Sequence, residues 1–160
     1  DISPLLSEKN LSIDVKDELD GNLIHLDVEK ITQVFFNILS NACKFSPENS
    51  KINVIIEKCE VNVERRKSNP FWVDGIAVSI CDSGVGVPQE ELSHIFDKFI
   101  QSSKTKTGAG GTGLGLAICK EIIELHRGDI FAKNNSDSGA CFQFKIPKSA
   151  IEWSLRESEA

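Results

Sequence analysis

Gln33, Asn37, Asn41 and Lys44 follow one another at intervals of four, four and three residues. Each helical residue turns about 100°, so on a helix the four share one narrow arc. Ile31, Val34, Phe35, Ile38, Leu39 and Ala42 fill a separate, broader arc, which is a core face. A wet helix face ordinarily carries Glu and Lys, and Asn is a poor helix former. Carboxamide oxygens suit a hydrated hard cation such as Mg²⁺, which keeps several waters and shares a substrate's phosphates. Lys44 would bring a positive charge toward the same phosphates. Taken alone, the row reads equally well as a solvated polar face.

Two glycine-rich stretches could complete a site. In Asp82-Ser83-Gly84-Val85-Gly86 the backbone can bend close to a flat ligand, and the Asp82 carboxylate can accept a base's exocyclic amine. By itself this stretch is also an ordinary Asx turn. Gly108 to Leu116 is denser, with Gly108, Gly110, Gly111, Gly113 and Gly115. Gly108 to Gly113 matches the dinucleotide fingerprint, but Lys104-Thr105-Lys106-Thr107 precedes it where a buried strand is required. No GxxxxGK[ST] occurs, so a P-loop is excluded. The glycines run into a helix whose free N–H groups and dipole suit an anionic phosphate. Lys104 and Lys106 add charge, and the glycine content predicts a lid over 101–110 that orders on a ligand. Phe96 and Phe99, three apart in Ile95-Phe96-Asp97-Lys98-Phe99, read first as core packing and second as an anchor for that lid.

The elements that must position these residues are readable in outline. Leu11 to Val15 alternates as a first strand, and Gly21 marks a turn. Asp27 caps the carboxamide helix, which ends near Lys44. Lys51 to Glu60 and Gly75 to Cys81 are strands, joined by a polar insert over 61–74 with Phe71 and Trp72. Pro88 opens a short helix to Phe99. Thr112 opens another to His126, with Gly128 as its stop. A hairpin, Ile130 to Asn134 and Ala140 to Ile146, closes the domain. The expected fold is α+β: a two-layer sandwich, a mixed and mostly antiparallel sheet with helices on one face. Residues 1–147 form the domain and 148–160 a weakly ordered tail.

Bulk numbers narrow the partners. A chain of 160 residues fits one domain, and its formal net charge of -6 argues against sequence-independent nucleic-acid binding. The five cysteines are odd in number, widely spaced and without a CxxC pair, so neither a disulfide framework nor a zinc site is expected. Scattered free cysteines suggest a reducing cytosol. No apolar run approaches the roughly 20 residues of a membrane span, and no direct membrane contact is expected. The chain opens on Asp1 and reads as an excised piece, whose parent could still be an inner-membrane sensor.

Four segments in this order resemble the sensor histidine kinases, within the wider group of gyrase, mismatch-repair and heat-shock chaperone ATPases. Gln33 to Phe45 is similar to the N-box, Asp82 to Gly86 to the first Gly box, Ile95 to Phe99 to the F-box and Gly111 to Leu116 to the second Gly box. The resemblance covers about Leu11 to Pro147. It implies the Bergerat ATP-binding fold, with ATP and Mg²⁺ as ligands. It would make Asn41 the Mg²⁺ ligand, with Asn37 beside the metal, Lys44 and Phe45 at the nucleotide, and Gln33 or Asn37 orienting the attacking histidine. Asp82 would hold the adenine amine, with Gly84 and Gly86 shaping that wall. Phe99, Gly110, Gly111, Thr112, Gly113, Leu114, Gly115 and Leu116 would flank the nucleotide and its phosphates. Many relatives carry an arginine in or near the lid; here Gln101 follows Ile100, and Lys104 or Lys106 is the available substitute.

The family's phosphoacceptor lies in an H-box, and His25, His94 and His126 do not fit one. The resemblance therefore implies γ-phosphoryl transfer to a histidine on a separate dimerisation domain, then signalling to a response regulator. The chain alone should bind ATP and ADP as a monomer without phosphorylating itself. Two other readings stay open: an ATPase or serine-kinase module of the same superfamily, as in anti-sigma factors, and a nucleotide-binding pseudokinase.

Overall fold

Asp27 begins the helix that carries the carboxamide row. A computed structural model describes residues 1–19, 21, 24–63, 70–103 and 112–148. After a short helix α1 (Ser3–Glu8) and strand β1 (Ser12–Asp17) comes α2 (Val28–Phe45). The Asp27 side chain accepts the Lys30 amide at 3.0 Å, which satisfies one of the orphan donors of the first turn. Ile31, Val34, Ile38 and Ala42 are buried as the apolar arc requires, and Phe35 and Leu39 pack at its edge.

The sheet they cover has five strands in the order β1-β2-β3-β5-β4, with β2 (Lys51–Asn62), β3 (Trp72–Cys81), β4 (Asp129–Asn134) and β5 (Ala140–Pro147). β1 pairs parallel to β2 because α2 carries the chain back between them; every other pairing is antiparallel. Helix α3 (Gly115–Leu125) adds Cys119, Ile122 and Ile123 to the same core. Phe35 meets Phe144 edge to face at 5.6 Å. The result is the expected α+β sandwich. Among the described residues no helix is long and apolar enough to cross a membrane.

Several local expectations are corrected. β2 and β3 extend into the 61–74 insert as far as the pair Asn62↔Trp72, with Val61 and Val63 buried, because their alternation continues the strand period. Residues 64–69 of that insert lie outside the described residues. α1 was not anticipated. The segment after Pro88 is one 3₁₀ turn, Gln89–Glu91, followed by turns closed by His94 N–H to Glu91 O and Asp97 N–H to His94 O. Within it Phe96 is buried as expected, whereas Phe99 is 74% exposed at φ 65°. α3 starts at Gly115 rather than Thr112, because Gly113 turns at φ 69° and its carbonyl accepts the Phe99 N–H at 3.0 Å.

The end of α3 is a Schellman motif, with Gly128 N–H on Ile123 O and Arg127 N–H on Glu124 O. The left-handed residue is Arg127, at φ 57°. Gly128 serves close approach instead, since a Cβ there would lie 2.0 Å from Lys145 O. Replacing Arg127 by Gly should therefore stabilise the domain by about 0.5–1 kcal/mol by removing the left-handed penalty. A lower urea midpoint for that variant would contradict the motif.

One cysteine pair departs from the expectation. Cys81 and Cys141 are joined by a disulfide, Sγ–Sγ 2.03 Å. They are 60 residues apart in sequence yet face each other in the β3–β5 register, a pairing that spacing along the chain does not reveal. Cys43, Cys59 and Cys119 are free. Lys148, assigned to the tail, is tied by backbone bonds to Asp74 and His25; residues 149–160 lie outside the described residues.

Candidate active site

A cavity of about 240 Å³ opens between α2, the loop after β3 and the start of α3. One end is polar. Asn37, Ser40, Asn41 and Lys44 reach it from successive turns of α2, with Phe45 at the helix end. Asp82 lines the same cavity. Val85, Val87, Ile95, Leu116 and Phe142 supply apolar wall. Such a slot suits a group that joins a flat apolar body to a hydrogen-bonding edge and to charge.

Asp82 is held firmly. It is buried, and its Oδ1 accepts the amides of Gly84 at 2.8 Å and Ala140 at 3.2 Å. Its own amide donates to Ala140 O, and its carbonyl accepts Asn135 Nδ2 at 2.8 Å. Burial pushes the carboxyl above the usual carboxylate range, while the two backbone donors pull it back. Both amides land on Oδ1, so Oδ2 is the natural acceptor for a ligand amine. Asn134 clamps the same loop from β4, accepting Val87 N–H at 2.8 Å and donating to Val87 O at 2.6 Å. Gly139 completes the clamp: a Cβ there would lie 2.1 Å from Asp82 O.

At the polar end, Asn37 Nδ2 donates to Gly115 O at 3.2 Å, which joins α2 to the first residue of α3. This leaves the Asn37 oxygen an acceptor. The Lys44 ammonium lies 5.3 Å from the Phe45 ring centroid, within cation–π range. Among the described residues no cluster of three or more His, Cys, Asp or Glu could hold a metal. The neutral carboxamide oxygens of Asn37 and Asn41 on the wall are of the type a hard cation takes when it brings most of its other ligands with it.

The structure brings Asn37, Asn41, Lys44, Phe45, Asp82, Gly86, Thr112, Gly113, Gly115 and Leu116 to one cavity. Four predicted residues are not on its wall. Gln33 is exposed one turn before Asn37, about 6 Å back along the axis. Gly84 is buried behind the wall, where a Cβ would lie 2.6 Å from Phe45 O. Phe99 is turned outward by its left-handed backbone, and Leu114 is the N-cap of α3. Lys104, Lys106, Gly110 and Gly111, with most of the predicted lid, lie outside the described residues. Gln101 and Ser102, at the start of the predicted lid, are on the wall; sequence reasoning missed Ser40, Val87, Ile100, Ala140 and Phe142 on it, and Asn134, Asn135 and Gly139 behind it. The only available signal was the Asn-Asn-Ser-Asp-Ser-Gly turn, which reads as a plain hairpin loop. His25, His94 and His126 are not on the wall.

Comparison with known proteins agrees with this geometry. The profile of the histidine kinase-, DNA gyrase B-, and HSP90-like ATPases matches residues 26–150. Over 125 residues the chain is 38% identical to the sensor histidine kinase WalK of Bacillus subtilis (strain 168), covering 78% of this chain and 19% of that protein. It is 40% identical over 141 residues to the sensor protein KdpD of Clostridium acetobutylicum, covering 88% of this chain and 14% of that one. The chain thus spans less than a fifth of the length of these two relatives. The catalytic domain of histidine kinase ThkA, nucleotide free, superposes with a TM-score of 0.68 at 28% identity, over 92% of this chain and 85% of that one. The mycobacterial sensor histidine kinase MprB shares the fold, with a TM-score of 0.72 at 20% identity over 91% and 90% of the two chains. With its mixed sheet, carboxamide-lined helix and glycine-flanked cavity, this chain belongs to the histidine kinase-, DNA gyrase B-, and HSP90-like ATPase family, as the catalytic ATP-binding domain of a sensor histidine kinase.

Proposed function

We propose that this domain binds Mg²⁺-ATP and transfers its γ-phosphoryl group to a histidine on a separate dimerisation domain. The observation that carries the reading is that Asp82, Asn41 and Lys44 line one cavity. Adenine fits the apolar slot, with its exocyclic amine on Asp82 and the phosphates toward Lys44 and the start of α3. Phosphoryl transfer asks a protein mainly for positioning and charge stabilisation. Lys44 and the free N–H groups of α3 supply charge, while the clamped Asp82 loop fixes the nucleotide's register. Asn41, with Asn37 beside it, would hold Mg²⁺, which when bound neutralises charge developing on the phosphates.

That none of His25, His94 and His126 lines the cavity supports an acceptor on another domain. ThkA has been solved in complex with the response regulator protein TrrA. By likeness, a receiver domain of that kind is the expected recipient of the phosphoryl group, in the cytoplasm. Calorimetry with ADP and a non-hydrolysable ATP mimic tests the binding half; absent heat and an unmoved melting temperature would defeat it. Labelled ATP, mixed with this domain and the histidine-bearing helices of its parent, tests the transfer half. Acid-labile label on the helices is expected. Label on a partner serine would move the assignment to the serine-kinase branch, and binding without transfer to a pseudokinase.

A further inference from the structure

The last turn of α2 carries Lys44 and Phe45, yet helix ends fray and leave four carbonyls without intrahelical partners. Here one distant side chain meets that need. Lys9, just after α1, places its ammonium on three backbone carbonyls: Cys43 O at 3.1 Å, Lys44 O, and Ser46 O at 3.0 Å. Ala42 O is taken by the Ser46 amide at 3.0 Å. The same junction is fastened twice more, by Asn49 N–H on Lys9 O at 2.9 Å and by Asn10 Nδ2 on Asn49 Oδ1 at 2.7 Å. Lys9 is half-buried and is not on the cavity wall, so it does not touch a nucleotide.

The turn it grips is part of the cavity wall. Lys44 and Phe45 line it directly. The Phe45 carbonyl abuts Gly84, whose amide in turn holds Asp82 Oδ1. A cation with three donors at the negative end of α2 is well matched to this task, since it satisfies carbonyls and opposes the helix dipole together. We infer that Lys9 is a positioning residue for the nucleotide, fixing the last turn of α2 so that Lys44 meets the phosphates. This inference rests on the nucleotide reading of the cavity given above.

The test is ATP affinity by calorimetry on the chain and its variants, with urea unfolding alongside. Lys9→Met, which keeps the apolar stem and loses the donors, should weaken ATP binding about tenfold or more, and Lys9→Arg should restore most of it, because charged hydrogen bonds of this kind carry a factor of that order. A general loss of stability would weaken binding in any background. A positioning role predicts coupling instead: in a Lys44→Ala background Lys9→Met should cost less than threefold further affinity, while its shift in urea midpoint persists. The same affinity loss with and without Lys44 would overturn the inference, as would unchanged ATP binding in Lys9→Met. If Lys9→Met does not fold, Lys9→Gln, which keeps two N–H donors without the charge, takes its place under the same two criteria. If the parent chain itself fails to bind ATP, the nucleotide reading falls and this inference with it; parental binding together with an indifferent Lys9 variant overturns this inference alone.

Discussion

Asn41→Ala is expected to lower the rate of phosphotransfer roughly 100-fold or more, the scale on which a single preorganised electrostatic contact acts, while the fold becomes no less stable. Asn41 sits mid-helix on the cavity wall, between Asn37 and Lys44 on the same arc. Its carboxamide has no role in the core, which α2 builds from Ile31, Val34, Ile38 and Ala42. Alanine is the better helix former by about 0.5 kcal/mol. Stability and activity should therefore move in opposite directions, a combination that general damage cannot produce. The checks are a urea midpoint and the initial rate of label transfer to the histidine-bearing helices. An unchanged rate would remove Asn41 from the metal site.

Asp82→Asn should weaken ADP and ATP binding by roughly 10- to 100-fold, as expected for losing one hydrogen bond to a charged group. The substitution is nearly isosteric. An amide oxygen can still accept from Gly84 and Ala140, so the turn survives. The other end of the side chain changes from acceptor to donor and opposes the adenine amine instead of receiving it. Stability should again behave differently. Burial raises the Asp82 carboxyl above its unfolded value, so its ionisation at neutral pH works against the fold. That disadvantage is absent below the unfolded value, builds as pH rises from there to the raised folded value, and is constant above it. The variant should then melt at or above the parent's temperature at pH 7, and the difference should shrink in acid. Nucleotide affinity of the parent should fall with acid from a higher pH than an ordinary carboxylate would allow. Equal ADP affinities for parent and variant would remove Asp82 from the base site.

The first prediction draws on a residue that periodicity could find, the second on a glycine turn. The arc of Asn37, Asn41 and Lys44 is visible because an α-helix has a fixed 100° step, and its apolar counterpart at Ile31, Val34 and Ile38 confirms which face turns inward. The Asp27 cap and the β4–β5 hairpin are local features of the same kind. Gln33 marks the limit of that reasoning. It shares the arc with Asn37, but an arc gives direction only, and the cavity ends before its turn. Phe99 marks another: spacing paired it with Phe96, whereas a left-handed backbone locked to Gly113 turned it away.

What the sequence by itself determined was the set of local elements and the chemistry each could offer: a helix with a dry and a carboxamide face, an Asx-type glycine turn and a glycine-rich helix start. These depend on neighbours within a few residues, where backbone geometry is nearly invariant. The tertiary structure decided which of them meet. Asn134, Asn135 and Gly139 became the clamp on Asp82 only because β5 lies beside β3, and the same register put Cys81 against Cys141. Lys9 reached the end of α2 only because β1 runs parallel to β2 and brings α1 back beside the turn after that helix. Such contacts join residues tens of positions apart, and the burial of apolar side chains common to the whole sheet selects them, which no short window of sequence encodes.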